Sequence, residues 1–137
     1  HIKPIALPCH SDKGKSLVGK QATASGWGKD SDKATGISPV LRQMSSRIIS
    51  RLSCTLRFFG MVSRNHVCTS GRGRKGACSG DSGGPLVGKK ANGQEVQYGI
   101  ACFAFGLGCS LGWPTGFTRV SSYLDWINQN TGIPICD

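Results

Sequence analysis

The sequence predicts an all-β domain closed by one C-terminal helix. Three observations carry this: short apolar segments punctuated by 20 glycines and six prolines, an Asn-Gly pair between two strand-like segments, and a clear helical stripe near the end of the chain. At 137 residues the chain has the length of one ordinary domain, enough to bury a core but too short for a second complete one. No internal repeat, low-complexity tract or interdomain linker interrupts it.

Taken in order, Gln21 to Gly28 (QATASGWG) reads as a strand ending in glycine punctuation, followed by a polar loop through Ser38-Pro39. Val40 to Ser46 predicts a second strand. Ile48, Ile49, Leu52, Leu56 and Phe59 then recur at helical spacing, which predicts a short helix carrying Cys54. Pro85–Lys90 and Glu95–Ala104 predict two strands joined around Asn92-Gly93, a dipeptide suited to the positive φ of a hairpin turn. In the second strand Val96, Tyr98, Ile100 and Cys102 share one face, expected to be buried. Val120, Tyr123, Leu124 and Ile127 form the stripe of the closing helix, with Ser122 and Asp125 as an expected capping box and Gly132 and Pro134 as stop signals.

The formal charge of +10 is uneven: residues 1–75 carry +11 and residues 76–137 carry −1. Ser70–Gly76 (SGRGRKG) is basic but lacks interleaved aromatics, so it reads as a solvated loop and no nucleic-acid partner is expected. No apolar run reaches membrane-spanning length, and no signal peptide is legible, so a soluble chain without a membrane partner is expected. Seven cysteines point to an oxidising compartment and hence to secretion, with any export signal outside this chain. They lack the paired spacing of a zinc ribbon, so no metal is expected. Their odd number leaves at least one thiol unpaired or bridged to another chain.

The segment Lys75–Val87 (KGACSGDSGGPLV) sets Ser82 among glycines with Asp81 before it. Gly80 to Gly84 satisfies G-x-S-x-G, but a hydrolase elbow requires a following helix. Here Pro85 opens an apolar strand instead, so that match is accidental. The glycines can let successive backbone N–H groups converge beside the hydroxyl, which is oxyanion-hole geometry.

On these residues the chain resembles the trypsin-like, chymotrypsin-fold serine endopeptidases, in which GDSGGP is the nucleophile motif. The resemblance runs through Ile5-Ala6-Leu7-Pro8, Ser25-Gly26-Trp27-Gly28, the Cys54 to Cys68 loop, Tyr98-Gly99-Ile100, Gly108-Cys109, Pro114 to Val120 and Trp126-Ile127, in order. It implies an antiparallel six-stranded Greek-key barrel, the second barrel of that fold, over residues 1–137 with a closing helix at about 121–131. It implies Ser82 as nucleophile, the N–H groups of Gly80 and Ser82 as oxyanion hole, and Asp81 as the carboxylate that in active members pairs with a freed N-terminal amine. It also implies the bridges Cys54–Cys68 and Cys78–Cys109. A third common bridge would join the places held by Ala22 and Gly88, and both cysteines are missing together. The pairing of Cys9, Cys102 and Cys136 stays open.

A serine hydroxyl needs a base to take its proton. In the resembled family a histidine does so and a buried aspartate orients it. His1, His10 and His66 lack the family's Ala-Ala-His-Cys surroundings, so both partners are expected on a preceding barrel outside this chain, and the chain alone is expected to be inactive. The substrate pocket implied by the resemblance has Gly76 at its base with Ala77, Ser79, Cys102, Phe103, Ala104 and Thr115 around it. Gly76 offers no carboxylate for Lys or Arg, and Ala104 with Thr115 narrows the slot towards small or aliphatic residues, as in elastase-like members. Gly76 alone would also suit an aromatic residue. Expected partners are a protein or peptide substrate, the preceding barrel and protein protease inhibitors, with no cofactor. Cys102, where active relatives usually carry serine, is a weaker hydrogen-bond donor and supports the alternative of a non-catalytic homologue that binds rather than cleaves.

Overall fold

The computed structural model describes all residues except His1, Asp30, Asp32, 75–80 and 105–111. Six strands form a closed antiparallel barrel: β1 (Gln21–Gly26), β2 (Arg42–Ile49), β3 (His66–Thr69), β4 (Pro85–Lys89), β5 (Glu95–Phe103) and β6 (Thr115–Arg119). Around the barrel the order is β1-β2-β3-β6-β5-β4, so β4 returns to pair with β1 and no sheet edge is left open. Ala22, Ile48, Val67, Leu86 and Phe117 fill its centre. A 3-10 turn over Val120–Tyr123 leads into the C-terminal helix α2 (Leu124–Thr131).

Most elements lie where the residues place them, and the departures have physical causes. The second strand begins at Arg42 and continues through Ile48 and Ile49, since these two pair with Thr69 and Cys68 of β3. Helix α1 (Arg51–Arg57) starts only after Ser50, whose hydroxyl caps it by accepting from Ser53 N–H at 3.1 Å. Its expected apolar stripe does not face the core: Leu52, Leu56 and Phe59 are exposed, and Cys54 is the buried residue of the helix. Cys54 bonds to Cys68, and that bridge with Phe58 and Val62 forms a second small core beneath α1.

The hairpin forms as expected, with Gly93 at φ 86°. The β5 face does not stay buried along its length. Val96 and Tyr98 are inside, whereas Ile100 and Cys102 are exposed. Two register shifts explain the change. Leu86 and Val87 pair with Gly99 and Gln97, so Tyr98 is an extra residue against β4. Phe117 and Gly116 pair with Ala101 and Phe103, so Cys102 is an extra residue against β6. Each bulge shifts the alternation by one and turns the next side chains over.

At the C-terminus, Val120 and Leu124 are buried as the stripe requires, while Tyr123 is 41% exposed. The expected Ser122–Asp125 capping box is not formed. The first turn is 3-10, which moves the α-helical start to Leu124 and makes Tyr123 the N-cap, without a side-chain cap. Gly132 closes the helix in the left-handed region at φ 73°. A Cys9–Cys136 disulfide ties the tail to the first segment of the chain, beside a hydrogen bond from His10 N–H to the Cys136 carbonyl at 2.8 Å. No helix among the described residues is long and apolar enough to cross a membrane.

Candidate active site

Asp81–Gly84 forms a tight turn immediately before β4. Gly84 N–H donates to the Asp81 carbonyl at 3.0 Å, and Gly83 supplies the positive φ of 85° at the third position, where a β-branched or bulky side chain is disfavoured. The turn is fastened to β5 on both sides of its tip: Gly83 N–H donates to the Ala101 carbonyl at 2.9 Å, and Ala101 N–H to the Gly84 carbonyl at 2.8 Å. Ser82 therefore stands exposed on a turn anchored one residue before the Cys102 bulge. Among the described residues its hydroxyl has no hydrogen-bond partner.

Asp81 points the other way, into the end of β1. Its Oδ1 accepts from Gly28 N–H at 2.9 Å. A Cβ at Gly26 or Gly28 would overlap the carboxylate, and one at Gly84 would come within 2.9 Å of the Asp81 carbonyl. The Gly-Trp-Gly punctuation after β1 is thus a receptor for Asp81, a role that sequence reading missed. Its signal was two glycines flanking one tryptophan, without a turn requirement to explain both.

Of the expected pocket residues, Cys102 and Ala104 are exposed and Phe103 is half-buried. Thr115 is 1% exposed at the start of β6, paired with Thr69. The Phe103 ring lies over Gly116, where a Cβ would fall on the ring, and meets Phe58 edge-on at 4.9 Å. The second core under α1 thereby backs this wall. Gly76, Ala77, Cys78, Ser79, Gly80 and Cys109 lie outside the described residues, so the expected pocket base, the Gly80 donor and the Cys78–Cys109 bridge do too.

Neither described histidine serves Ser82. His66 Nδ1 accepts from Ser63 N–H at 3.0 Å, with its ring edge-on to Phe103 at 5.3 Å. His10 lies 4.0 Å from Asp125 near the tail. Ala22 and Gly88, where a third bridge was expected to be missing, are direct partners across β1 and β4. The Tyr98 ring occupies the space beside Gly88. No group of three or more metal-ligating side chains occurs among the described residues.

The trypsin family profile matches residues 1–127. Brachyurin of Leptuca pugilator is 46% identical over 132 residues, which is 96% of this chain and 54% of brachyurin. Collagenase of Hypoderma lineatum is 35% identical over 134 residues, covering 97% of this chain and 49% of the relative. The solved structure of HL collagenase superposes with a TM-score of 0.83 at 36% identity, over 98% of this chain and 56% of that one. The chain spans about half the length of the curated relatives it matches.

Proposed function

The chain belongs to the trypsin family, and on that footing we propose that it is the nucleophile-bearing barrel of a secreted serine endopeptidase. The observation that carries the reading is the Asp81–Gly84 turn: its serine is exposed, and its aspartate is tied down at Gly28. The half-length match to relatives and the engagement of His66 and His10 elsewhere support a base supplied by a preceding barrel. Two disulfides support an oxidising compartment.

In this mechanism the Ser82 oxygen attacks the scissile carbonyl while its proton passes to the imidazole of the other barrel. The carbonyl oxygen, now carrying the charge, accepts from the N–H groups of Gly80 and Ser82. The C–N bond breaks, the imidazolium proton leaves with the amine, and water then repeats the sequence on the acyl-serine. Asp81 takes no proton. Held by Gly28, it fixes the backbone on which the Ser82 N–H is presented.

The residue before the scissile bond enters the slot between Phe103-Ala104 and Thr115, with Gly76 at the base. In this reading Ala104 and Thr115 narrow the slot and Gly76 supplies no carboxylate, so small and aliphatic residues are favoured and Lys is excluded. The name of the Hypoderma relative adds collagen to the substrate panel. The test is hydrolysis by the full protein of peptide amides ending in Ala, Leu, Phe or Lys. Cleavage after Ala or Leu that disappears in Ser82→Ala supports the reading, and efficient cleavage after Lys overturns the pocket assignment.

A further inference from the structure

A basic trough lies away from Ser82. Its first part is an open cleft of about 760 Å³ lined by Lys13, Arg51, Arg64 and Arg119, with no acidic residue in its wall. A second depression of about 480 Å³ adds Lys15, Lys20 and Lys90, with one acid, Asp12, in its wall. The two share Ser16, Leu17, Arg119 and Ser121, so they form one continuous surface centred on Arg119. None of residues 81–84 or 101–104 lines either part.

Arg119 is the unusual member. It is half-buried, and burial pulls its guanidinium pKa down from the ordinary arginine value. Its Nε donates to Ser121 Oγ at 3.0 Å and one terminal nitrogen donates to the Lys15 carbonyl, both neutral oxygens. Among the described residues, most of its five N–H donors therefore have no protein acceptor. Among the described residues no carboxylate is in ion-pair range of Arg119, Arg51 or Arg64. Asp12, in the wall of the second part, is engaged by Lys90 at 3.2 Å, Lys15 at 3.9 Å and the Cys9 N–H at 2.7 Å, and Asp125 on the rim by Lys13 at 3.6 Å, so the cations without a carboxylate are Arg51, Arg64 and Arg119 of the first part. The remaining Arg119 donors open onto the cleft, where an arriving anion can accept charge-assisted hydrogen bonds from them.

We propose that this trough is a binding site for a linear sulfated polysaccharide, separate from the Ser82 site. Sulfate groups spaced along a chain match cations spaced along a trough, and guanidinium forks suit sulfate oxygens. Single-stranded nucleic acid would need exposed rings for stacking, but Tyr98 is 5% exposed and the His66 ring is set against Phe103. A flat anionic bilayer cannot reach a guanidinium recessed in a cleft. The disulfides fit the oxidising surroundings in which such glycans occur.

The test is fluorescence anisotropy of the full protein with a labelled heparin-derived decasaccharide at about 0.15 M salt. The same measurement is made with the desulfated decasaccharide, an oligothymidylate of equal charge and phosphatidylserine vesicles. Arg51→Gln/Arg64→Gln should weaken decasaccharide binding about tenfold or more, while the exposed pair Lys3→Gln/Arg72→Gln, which removes the same charge, should change it less than about twofold. Arg119→Lys, which keeps the charge but loses the fork, should also weaken it. The desulfated chain should not bind, and the oligonucleotide and vesicles should bind at least about tenfold more weakly. Equal loss in the control pair, unchanged binding in the trough variants, or equal affinity for DNA or vesicles would each overturn the proposal. Hydrolysis of small amides should be unchanged in all of these variants, which separates this test from that of the Ser82 reading.

Discussion

Asp81 Oδ1 and the Gly28 backbone N–H are joined at 2.9 Å, which locks the turn before β4 to the end of β1. A methyl group at Gly28 would overlap that carboxylate, whereas one at Gly36 would meet nothing within 4 Å. Gly28→Ala should therefore destabilise by about 1–3 kcal/mol through overpacking, and Gly36→Ala should stay within about 0.5 kcal/mol. Urea unfolding of both variants measures the difference. Equal stabilities would mean that the Asp81 contact does not constrain the turn.

Gly88 pairs with Ala22 of the neighbouring strand β1, with the Tyr98 ring 3.0 Å from where its Cβ would be. Gly88→Ala should cost about 1–3 kcal/mol in the native background. In a Tyr98→Leu background the cost should fall, because the two substitutions compete for one space. Additive effects in a double-mutant cycle would show that Tyr98 does not fill the place of the missing bridge.

Peptide mass spectrometry should find Cys54 linked to Cys68 and Cys9 to Cys136, with Cys102 alkylated in the native protein because it is exposed and unpaired. Replacing Cys54 and Cys68 together by Ala should cost about 3 kcal/mol, and opening the longer Cys9–Cys136 loop up to about 5 kcal/mol, by loop-closure entropy in the unfolded chain.

Asp12 caps the Cys9 N–H at 2.7 Å, and that hydrogen bond, helped by Lys90, holds its pKa below the ordinary 3.8. A depressed folded pKa means that the native state binds fewer protons than the unfolded chain. The stabilisation is then present above pH 3.8 and lost as pH falls through the folded value. Between about pH 5 and pH 2 the native protein should lose more stability than Asp12→Asn does, as followed by thermal melts. Parallel losses would remove Asp12 from the acid limb.

Thr115 is the buried residue assigned to the narrow slot. Thr115→Gly in the full protein should move kcat/KM from Leu and Val towards Phe, with an effect of about 1–3 kcal/mol per methylene accommodated. An unchanged ratio would take Thr115 out of the specificity pocket.

The β-rich unit and its closing helix were legible because glycine punctuation, the Asn92-Gly93 turn and the Val120–Leu124 stripe are local signals, read within a few residues of the elements they set; the barrel closure was implied by the family resemblance alone. The two bulges of β5 were not legible. A bulge leaves the apolar alternation of the sequence intact and changes only which partner residue it meets, so Ile100 and Cys102 read as buried although they are exposed. Leu52 and Leu56 kept helical spacing while facing solvent, because the Cys54–Cys68 bridge, not an apolar stripe, fastens α1. The turn motif at Ser82 was plain in the sequence, but its link to Gly28 spans 53 residues. The basic trough draws on residues 13, 51, 64 and 119, four places that no linear reading joins.

We propose Ser82 as a nucleophile activated by a base outside this chain. The most direct measurement is covalent labelling with a fluorophosphonate, followed by mass spectrometry of the peptide containing Ser82. The full protein should gain one adduct on Ser82, lost in Ser82→Ala, and residues 1–137 alone should gain none. An adduct on another residue, or hydrolysis by the full protein that survives Ser82→Ala, would contradict the account.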